Sequence, residues 1–248
     1  MISNNRIKFI ISLQTKKCRQ AEGLFLAEGA KVVAEFLASD YQCVQLLCTE
    51  EFARKHESLI IASGAETDVV SPAILERAGT LQSNNAALAV VQSKPGTPFS
   101  PGPDEYILAL DRIADPGNLG TLIRIADWYG IKRIVASPDT AEHTNPKVIA
   151  ATMGSFTRIH IWYTDLPNFL STQPLPVYGA FLNGANVHHE PFGPGGIILM
   201  GSESHGIGNE AAKFVTQRIS IPAYGQAESL NAAIAAAVIC DNVRRVRG

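Results

Sequence analysis

The sequence predicts an α/β protein in two parts: a C-terminal domain around a mostly parallel sheet, preceded by a smaller α/β domain. Two observations carry this expectation. Short apolar runs alternate with helix-period segments along the chain, the pattern of strands joined by crossover helices. Residues 94–105, KPGTPFSPGPDE, hold four prolines and two glycines, and such a stretch can propagate neither a helix nor a central strand. The expected organisation is therefore a first domain over residues 1–93, a linker over 94–105 and a second domain over 106–248.

In the first domain, residues 29–37 (GAKVVAEFL) and 72–78 place apolar residues at helical spacing, the latter behind the cap candidate Ser71. Residues 44–48 (VQLLC), 59–62 and 87–91 (ALAVV) are short strand candidates. In the second domain the strand candidates are 106–110, 133–136, 159–162, 177–181 and 197–200. Their near-continuous apolar character suits strands covered on both faces. Helix patterns fall between and after them at 119–129, 146–153, 210–216 and 229–246.

Composition narrows the class. At 46% hydrophobic and 18% charged residues the chain can bury a full core, which argues against disorder. No apolar run approaches the roughly 20 residues of a membrane span, and the N-terminus lacks the small-residue cleavage site of a secretory signal. The four cysteines (Cys18, Cys43, Cys48, Cys240) lack CxxC spacing and read as reduced thiols in a cytoplasmic protein. A net charge of −2 excludes indiscriminate coating of nucleic acid. Its distribution is uneven: Arg6, Lys8, Lys16, Lys17, Arg19 and Lys31 stand against Glu22 and Glu28, and Arg244, Arg245 and Arg247 end the chain. Basic ends on a mildly acidic body suit local contact with a phosphate backbone, and equally suit a solvated helix face.

Three glycine-containing segments follow strand candidates, where open α/β sheets place their ligands. The first, LDRIADPGNLGTLIRIADWYG, carries Asn118 and, six residues on, Arg124 within an otherwise apolar helix, where an inward-facing arginine needs a partner or a function. The second, IILMGSESHGIG, sets Glu203 just beyond a buried strand. The third, ISIPAYGQAESLNAAIAAAV, offers Ser229 as N-cap of a long helix and leaves Asn231 in its first turn without a capping role.

In this order the segments read D-x-x-x-DPGN-x-G-x-x-x-R, G-x-E-x-x-G and E-SLN-x-x-x-A, and together they resemble the three motifs of the SpoU/TrmH family of RNA ribose 2′-O-methyltransferases. Lys17, Arg19 and the following FLAEGAKVV resemble that family's substrate-binding domain. The resemblance implies a C-terminal trefoil knot, a homodimer, S-adenosylmethionine as cofactor, and structured RNA as substrate, with ribosomal RNA favoured over transfer RNA and neither DNA nor membrane as partner. It further implies catalytic positions at Arg124, Asn118, Glu203, Ser229 and Asn231. Cofactor contacts fall at Phe181, Leu182, Gly201, Ile221 and Leu230, and RNA contacts at Lys8, Lys16, Lys17 and Arg19. Two departures stand out: Ala150 replaces a basic residue common in relatives, with Lys147 retained nearby, and Ala232-Ala233 follow SLN.

Methyl transfer from a sulfonium needs no metal. Arginine stays protonated in proteins, so the expected role of Arg124 is to stabilise the developing alkoxide and fix a neighbouring phosphate, with Glu203 orienting Arg124 or Asn118. His188 and His189 are adjacent, project oppositely on an extended chain, and read as surface loop rather than ligands. The rival enzyme readings fail on register: G-x-G-x-x-A at residues 206–211 comes late in the chain, and GSESHG is one residue out of step with G-x-S-x-G. The alternative that survives is a non-catalytic RNA-binding or ribosome-assembly protein on the same fold.

Overall fold

The structure, a computed structural model, describes residues 2–247, with the Arg247 side chain outside that description. In chain order the elements are α1 (Asn4–Ser12), α2 (Lys16–Glu22), β1 (Leu24–Glu28), α3 (Ala30–Leu37), β2 (Cys43–Cys48), α4 (Glu50–Lys55), α5 (Glu57–Ser63), β3 (Glu66–Val69), α6 (Pro72–Ala78) and β4 (Ala87–Gln92). They continue as β5 (Tyr106–Asp111), α7 (Pro116–Trp128), β6 (Arg133–Ala136), α8 (Pro146–Thr152), β7 (His160–Tyr163), α9 (Leu166–Ser171), β8 (Val177–Asn186), β9 (Gly196–Gly201), α10 (Asn209–Ala212), β10 (Gln217–Ser220) and α11 (Ala232–Arg247). Two compact units divide the chain. One runs through Lys94 and takes in Glu142–Thr157; the other comprises Pro95–Ala141 and the chain from Arg158 onwards.

The first unit is a four-stranded sheet in the order β1-β4-β2-β3, with β4 antiparallel to both neighbours and β3 parallel to β2. Helix α1 buries Ile7 and Ile10 against Leu26, Leu47, Leu75 and Leu88, one apolar stripe covering one sheet face. Ser3, Thr15 and Thr49 cap α1, α2 and α4 by accepting from the backbone N–H of Arg6, Cys18 and Phe52. Residues 59–62, expected as a strand, lie inside α5. Glu57 in the first turn and the left-handed Gly64 (φ 64°) bracket a helix of about two turns whose residues are not buried. Four apolar residues alone cannot separate the two periods.

The segment Glu142–Thr157 lies between β6 and β7 in sequence yet packs with the first unit, where α8 lies against β1. Phe156 joins Phe25, Phe36 and Tyr41 in an aromatic cluster with ring centroids 5.7–5.9 Å apart. Arg19, only 3% exposed, forks onto Glu142 with Nη2 at 2.6 Å and Nε at 3.2 Å, while its Nη1 donates to the carbonyls of Leu13 and Gln14. A single cut at the proline-rich linker does not anticipate this, because the contacts involved are remote in sequence.

The second unit is a six-stranded, all-parallel sheet in the order β10-β8-β9-β5-β6-β7. Its central strands β5 and β9 pair from Tyr106↔Gly196 to Asp111↔Gly201 and are buried almost throughout. Ile107, Ala109, Ile197 and Leu199 form one core with Leu166, Phe169 and Leu170 of α9. Helix α10 stops after one turn, short of the seven residues expected for it. Strand β8 is longer than expected, and its pairing with β10 jumps from Gly179↔Arg218 to Ala185↔Ile219, so the intervening residues loop out. Val187–His189 form a short 3₁₀ turn, with His188 Nδ1 3.2 Å from Asn242 Oδ1. No helix among the described residues is long and apolar enough to cross a membrane. Burial raises the Cys43 and Cys240 thiols to about 11 and about 12, so both stay protonated at neutral pH.

The segment Glu142–Thr157 carries a pH dependence. His143 stacks on Phe156 at 5.7 Å with Nδ1 shielded from solvent, and burial lowers its imidazole from 6.5 to about 4. Burial would raise the Glu142 carboxyl, but hydrogen bonds from Arg19 and Thr144 outweigh it and the net direction is down. The folded state therefore holds His143 neutral while the unfolded chain takes up its proton. This contribution is complete above pH 6.5 and is lost as the pH falls towards about 4. The urea midpoint is expected to decline across that window, and His143→Gln is expected to flatten the decline above pH 5. An unchanged wild-type midpoint from pH 7 to 4 would contradict this account.

Candidate active site

Three loops leave the carboxyl end of the parallel sheet of the second unit and carry the three motifs. After β5 the chain turns at Pro116, and Asp115 caps α7 by accepting from Asn118 N–H at 2.8 Å. Asn118 is thereby placed in the first helical turn. After β9, residues 201–208 fold back on themselves: Ser202 N–H donates to Gly206 O at 3.1 Å and Gly206 N–H to Ser202 O at 2.8 Å. Two glycines make this possible. A Cβ on Gly201 would lie 2.1 Å from the Gly206 carbonyl carbon, and Gly206 adopts φ 63°. Beyond β10 the chain is exposed from Ala223 to Asn231, which opens α11.

Asn118, Glu203 and Asn231 meet in one hydrogen-bonded cluster. Glu203 Oε1 accepts from Asn118 Nδ2 at 2.7 Å and from Asn231 Nδ2 at 2.7 Å, and Asn118 Oδ1 accepts from Asn231 Nδ2 at 2.9 Å. An ionised carboxylate only accepts, so both amides must turn their nitrogens towards it, and this fixes their orientation. Asn231 Oδ1 in turn accepts from the backbone N–H of Ala233 and Ile234. Asn231 therefore caps α11, correcting the expectation that Ser229 does so. Ser229 lies in the exposed loop and makes no hydrogen bond to the cluster.

Arg124 does not face inward. Successive helix residues are rotated by about 100°, and the buried face of α7 is Leu119, Leu122, Ile123 and Ala126. Arg124 falls on the opposite stripe with Gly117, Thr121 and Trp128, all exposed. It makes no hydrogen bond or ion pair to another described residue. An arginine with a functional role there acts on something outside this chain. Trp128 on the same stripe is 82% exposed.

The residues expected at the cofactor lie on the same three loops or on the bulge of β8. Leu182 and Leu230 are 74% and 49% exposed, whereas Phe181 and Ile221 are half-buried. Arg218 stands over the Phe181 ring at 4.4 Å, a cation–π contact that holds the bulge. Large apolar side chains left uncovered around tight backbone turns suit a purine bound by main-chain groups and apolar walls. Among the described residues no group of three or more His, Cys, Asp or Glu could hold a metal ion.

Of the expected RNA contacts, Lys8, Lys16 and Lys17 are exposed on α1 and α2. Arg19 is not: it is consumed by the Glu142 ion pair, so it stabilises the first unit instead of contacting a ligand. Sequence reasoning missed a polar seat beneath the first motif. Ser137 Oγ accepts from Arg112 N–H at 2.8 Å, and Thr140 Oγ1 accepts from Ile113 N–H at 3.3 Å. Both residues follow β6, and nothing in their local sequence marks them.

The SpoU rRNA methylase family matches residues 105–241, and the MRM3-like substrate-binding domain matches residues 4–89. The chain is 31% identical to RlmP of Bacillus subtilis, a 23S rRNA (guanosine(2553)-2′-O)-methyltransferase, over 97% of this chain and 96% of RlmP. A putative RNA methyltransferase of the TrmH family from Porphyromonas gingivalis superposes with TM-score 0.83 at 35% identity, over all of both chains. An AdoMet-bound rRNA methyltransferase from Sinorhizobium meliloti superposes with TM-score 0.88 at 27% identity, covering 99% of this chain and 96% of that one.

Asn231 serves the helix and the cluster through different atoms, and the two roles separate by mutation. Asn231→Ala is expected to cost about 1 kcal/mol in chemical denaturation by removing the cap. Asn231→Ser restores a capping oxygen, and is expected to recover most of that stability without the amide that binds Glu203. Equal losses in both variants would contradict the capping role.

Proposed function

This chain belongs to the SpoU rRNA methylase family, and we propose on that premise how its residues perform S-adenosylmethionine-dependent methylation of an RNA ribose 2′-hydroxyl. The observation that carries the reading is the convergence of Asn118, Glu203 and Asn231, one from each motif loop, at the carboxyl end of the parallel sheet. When bound, S-adenosylmethionine supplies a methyl group on a sulfonium sulfur that departs as a neutral thioether. Leu182 and Leu230, with Phe181 and Ile221 behind them, are proposed to wall its apolar part, and the turn at Gly201 to present backbone groups.

The protein has then to hold the ribose in line and handle one proton, since the 2′ oxygen gains a C–O bond and loses its hydrogen. Glu203 holds Asn118 and Asn231 in fixed orientation, and these amides are proposed to position the ribose. Arg124, exposed and without a protein partner among the described residues, is proposed to fork onto the phosphate beside the target nucleotide and stabilise the developing alkoxide. The proton passes to that phosphate and on to water, because a guanidinium that is always protonated cannot accept it. Ser229 is proposed to join the site when the 223–230 loop closes on its ligands.

Ribosomal RNA is the proposed substrate class, supported by the names of RlmP and of the Sinorhizobium protein. Exposed Lys8, Lys16 and Lys17 are proposed to contact RNA backbone. The working form is proposed to be a cytoplasmic homodimer. Trp128, Ile234 and Val246 are exposed on α7 and α11, which pack on each other, and offer the apolar surface a second copy would cover. The trefoil knot is likewise proposed; the strand order and the packing of α11 on α7 and β9 support it.

Tritiated methyl transfer from S-adenosylmethionine to unmodified total RNA tests the reaction. The wild type is expected to label ribose 2′ oxygens in one RNA size class. Arg124→Ala is expected to lose about a hundredfold or more in rate, and Arg124→Lys to recover little of it. Cofactor binding without any label would overturn the catalytic reading in favour of a non-catalytic RNA-binding protein.

A further inference from the structure

We propose that Asp111 and Arg112 are positioning residues, which clamp the 201–208 loop and thereby set the Glu203 carboxylate against Asn118 and Asn231. The inference rests on the functional reading above for the meaning of Glu203, and on geometry alone for the clamp. Asp111 ends β5 directly beside Gly201 at the end of β9, and its side chain is 9% exposed. One carboxylate oxygen accepts from Gly208 N–H at 2.6 Å, the far end of the loop that carries Glu203. The Arg112 guanidinium closes the other side: Nε donates to Asp111 Oδ1 at 3.2 Å, and Nη2 reaches Asp111 Oδ2 and the Gly206 carbonyl, each at 3.4 Å.

Arg112 has this reach because its backbone is left-handed, at φ 57°. Residues other than Gly, Asn and Asp visit that region rarely, so the surroundings must enforce it. They do so through the seat after β6. Ser137 Oγ accepts from Arg112 N–H, Ser137 N–H and Thr140 Oγ1 donate to Leu110 O, and Ala141 N–H donates to Ile113 O. The loop is fitted to the clamp in return: a Cβ on Gly208 would meet Arg112 Nη2 at 2.8 Å and Asp111 Oδ2 at 3.1 Å. A strained, over-determined residue beside a reacting centre is where a fold stores pre-organisation. Here the strain is spent on the loop, since Arg112 ion-pairs with Asp111 and bonds the loop backbone. Without the clamp the loop backbone retains its Ser202–Gly206 pairing, the buried Ile207 and the Ala212 N–H on the Gly208 carbonyl, and Glu203 is held only through the amides it is meant to orient.

The test is a double-mutant cycle on methyl-transfer rate, with a readout that does not depend on activity. Asp111→Asn and Glu203→Gln are each expected to lower kcat by about tenfold or more, with little change in the KM for RNA, and the double variant to be no worse than the poorer single. Multiplying losses would overturn action through Glu203. Arg112→Gly relieves the left-handed backbone, so it is expected to keep or raise Tm while losing kcat; full kcat in that variant would remove Arg112 from the clamp. In NMR the Gly208 amide proton is expected downfield and protected from exchange in wild type, and unprotected in Asp111→Ala, which removes the acceptor. An amide unaffected by Asp111→Ala would overturn the clamp outright. A wild type that methylates no RNA yet retains the protected Gly208 amide would refute the enzymatic reading and leave the clamp standing.

Discussion

One carboxylate oxygen organises the site. Glu203 Oε1 accepts two amide N–H bonds from residues 85 and 28 positions away, and those two residues also bond each other across 113 positions. For one atom to serve both amides, three loops must end at the same place. The parallel register that sets Asp111 beside Gly201 supplies two of them, and the packing of α11 against α7 supplies the third. A one-residue slip of β9 against β5 would move the loop along the strand by about 3.3 Å and empty the cluster. The sheet, the caps of α7 and α11 and the fold-back at Gly206 can all be understood as conditions on the position of this carboxylate.

The site contributes little to stability by burial. Residues 223–231 are exposed throughout, and Glu203 is exposed as well. Its order comes from short hydrogen bonds and backbone constraint, which act at close range, while the apolar core beneath β5 and β9 supplies rigidity. This division leaves Arg124 exposed and without a hydrogen bond or ion pair to another described residue, free for the phosphate contact proposed for it. Arg19, by contrast, makes its bonds to Glu142 and to the carbonyls of Leu13 and Gln14, and is spent on holding the first unit.

Much of this was legible in the sequence. Strands buried on both faces announce themselves as apolar runs, and β5, β6 and β9 lie within a residue of where the pattern places them. The three motif loops were legible from their places after strands, and the membership of Asn118, Glu203 and Asn231 in one site was implied by the resemblance of those segments to the SpoU/TrmH motifs. What failed depended on angle or on distant contact. Arg124 reads as inward only if the apolar residues around it are counted without their phase; at about 100° per residue it falls opposite Leu119, Leu122 and Ala126. Ser and Asn cap helices about equally well, so propensity does not choose between Ser229 and Asn231; the helix begins at Ala232 because Asn231 caps it while binding Glu203. The docking of Glu142–Thr157 into the first unit, and with it the fate of Arg19, rests on pairings more than 100 residues apart that no local pattern encodes. The left-handed Arg112 is invisible for the same reason: the residues that enforce it, Ser137 and Thr140, lie about one strand and one helix away.

The claim that the three loops form one centre for ribose methylation is tested most directly by mass spectrometry of ribosomal RNA nucleosides from cells lacking this protein. The account predicts the loss of one 2′-O-methylated nucleoside, restored by the wild-type chain and not by Asn118→Ala. An unchanged set of ribose methylations, or restoration by Asn118→Ala at full level, would contradict it.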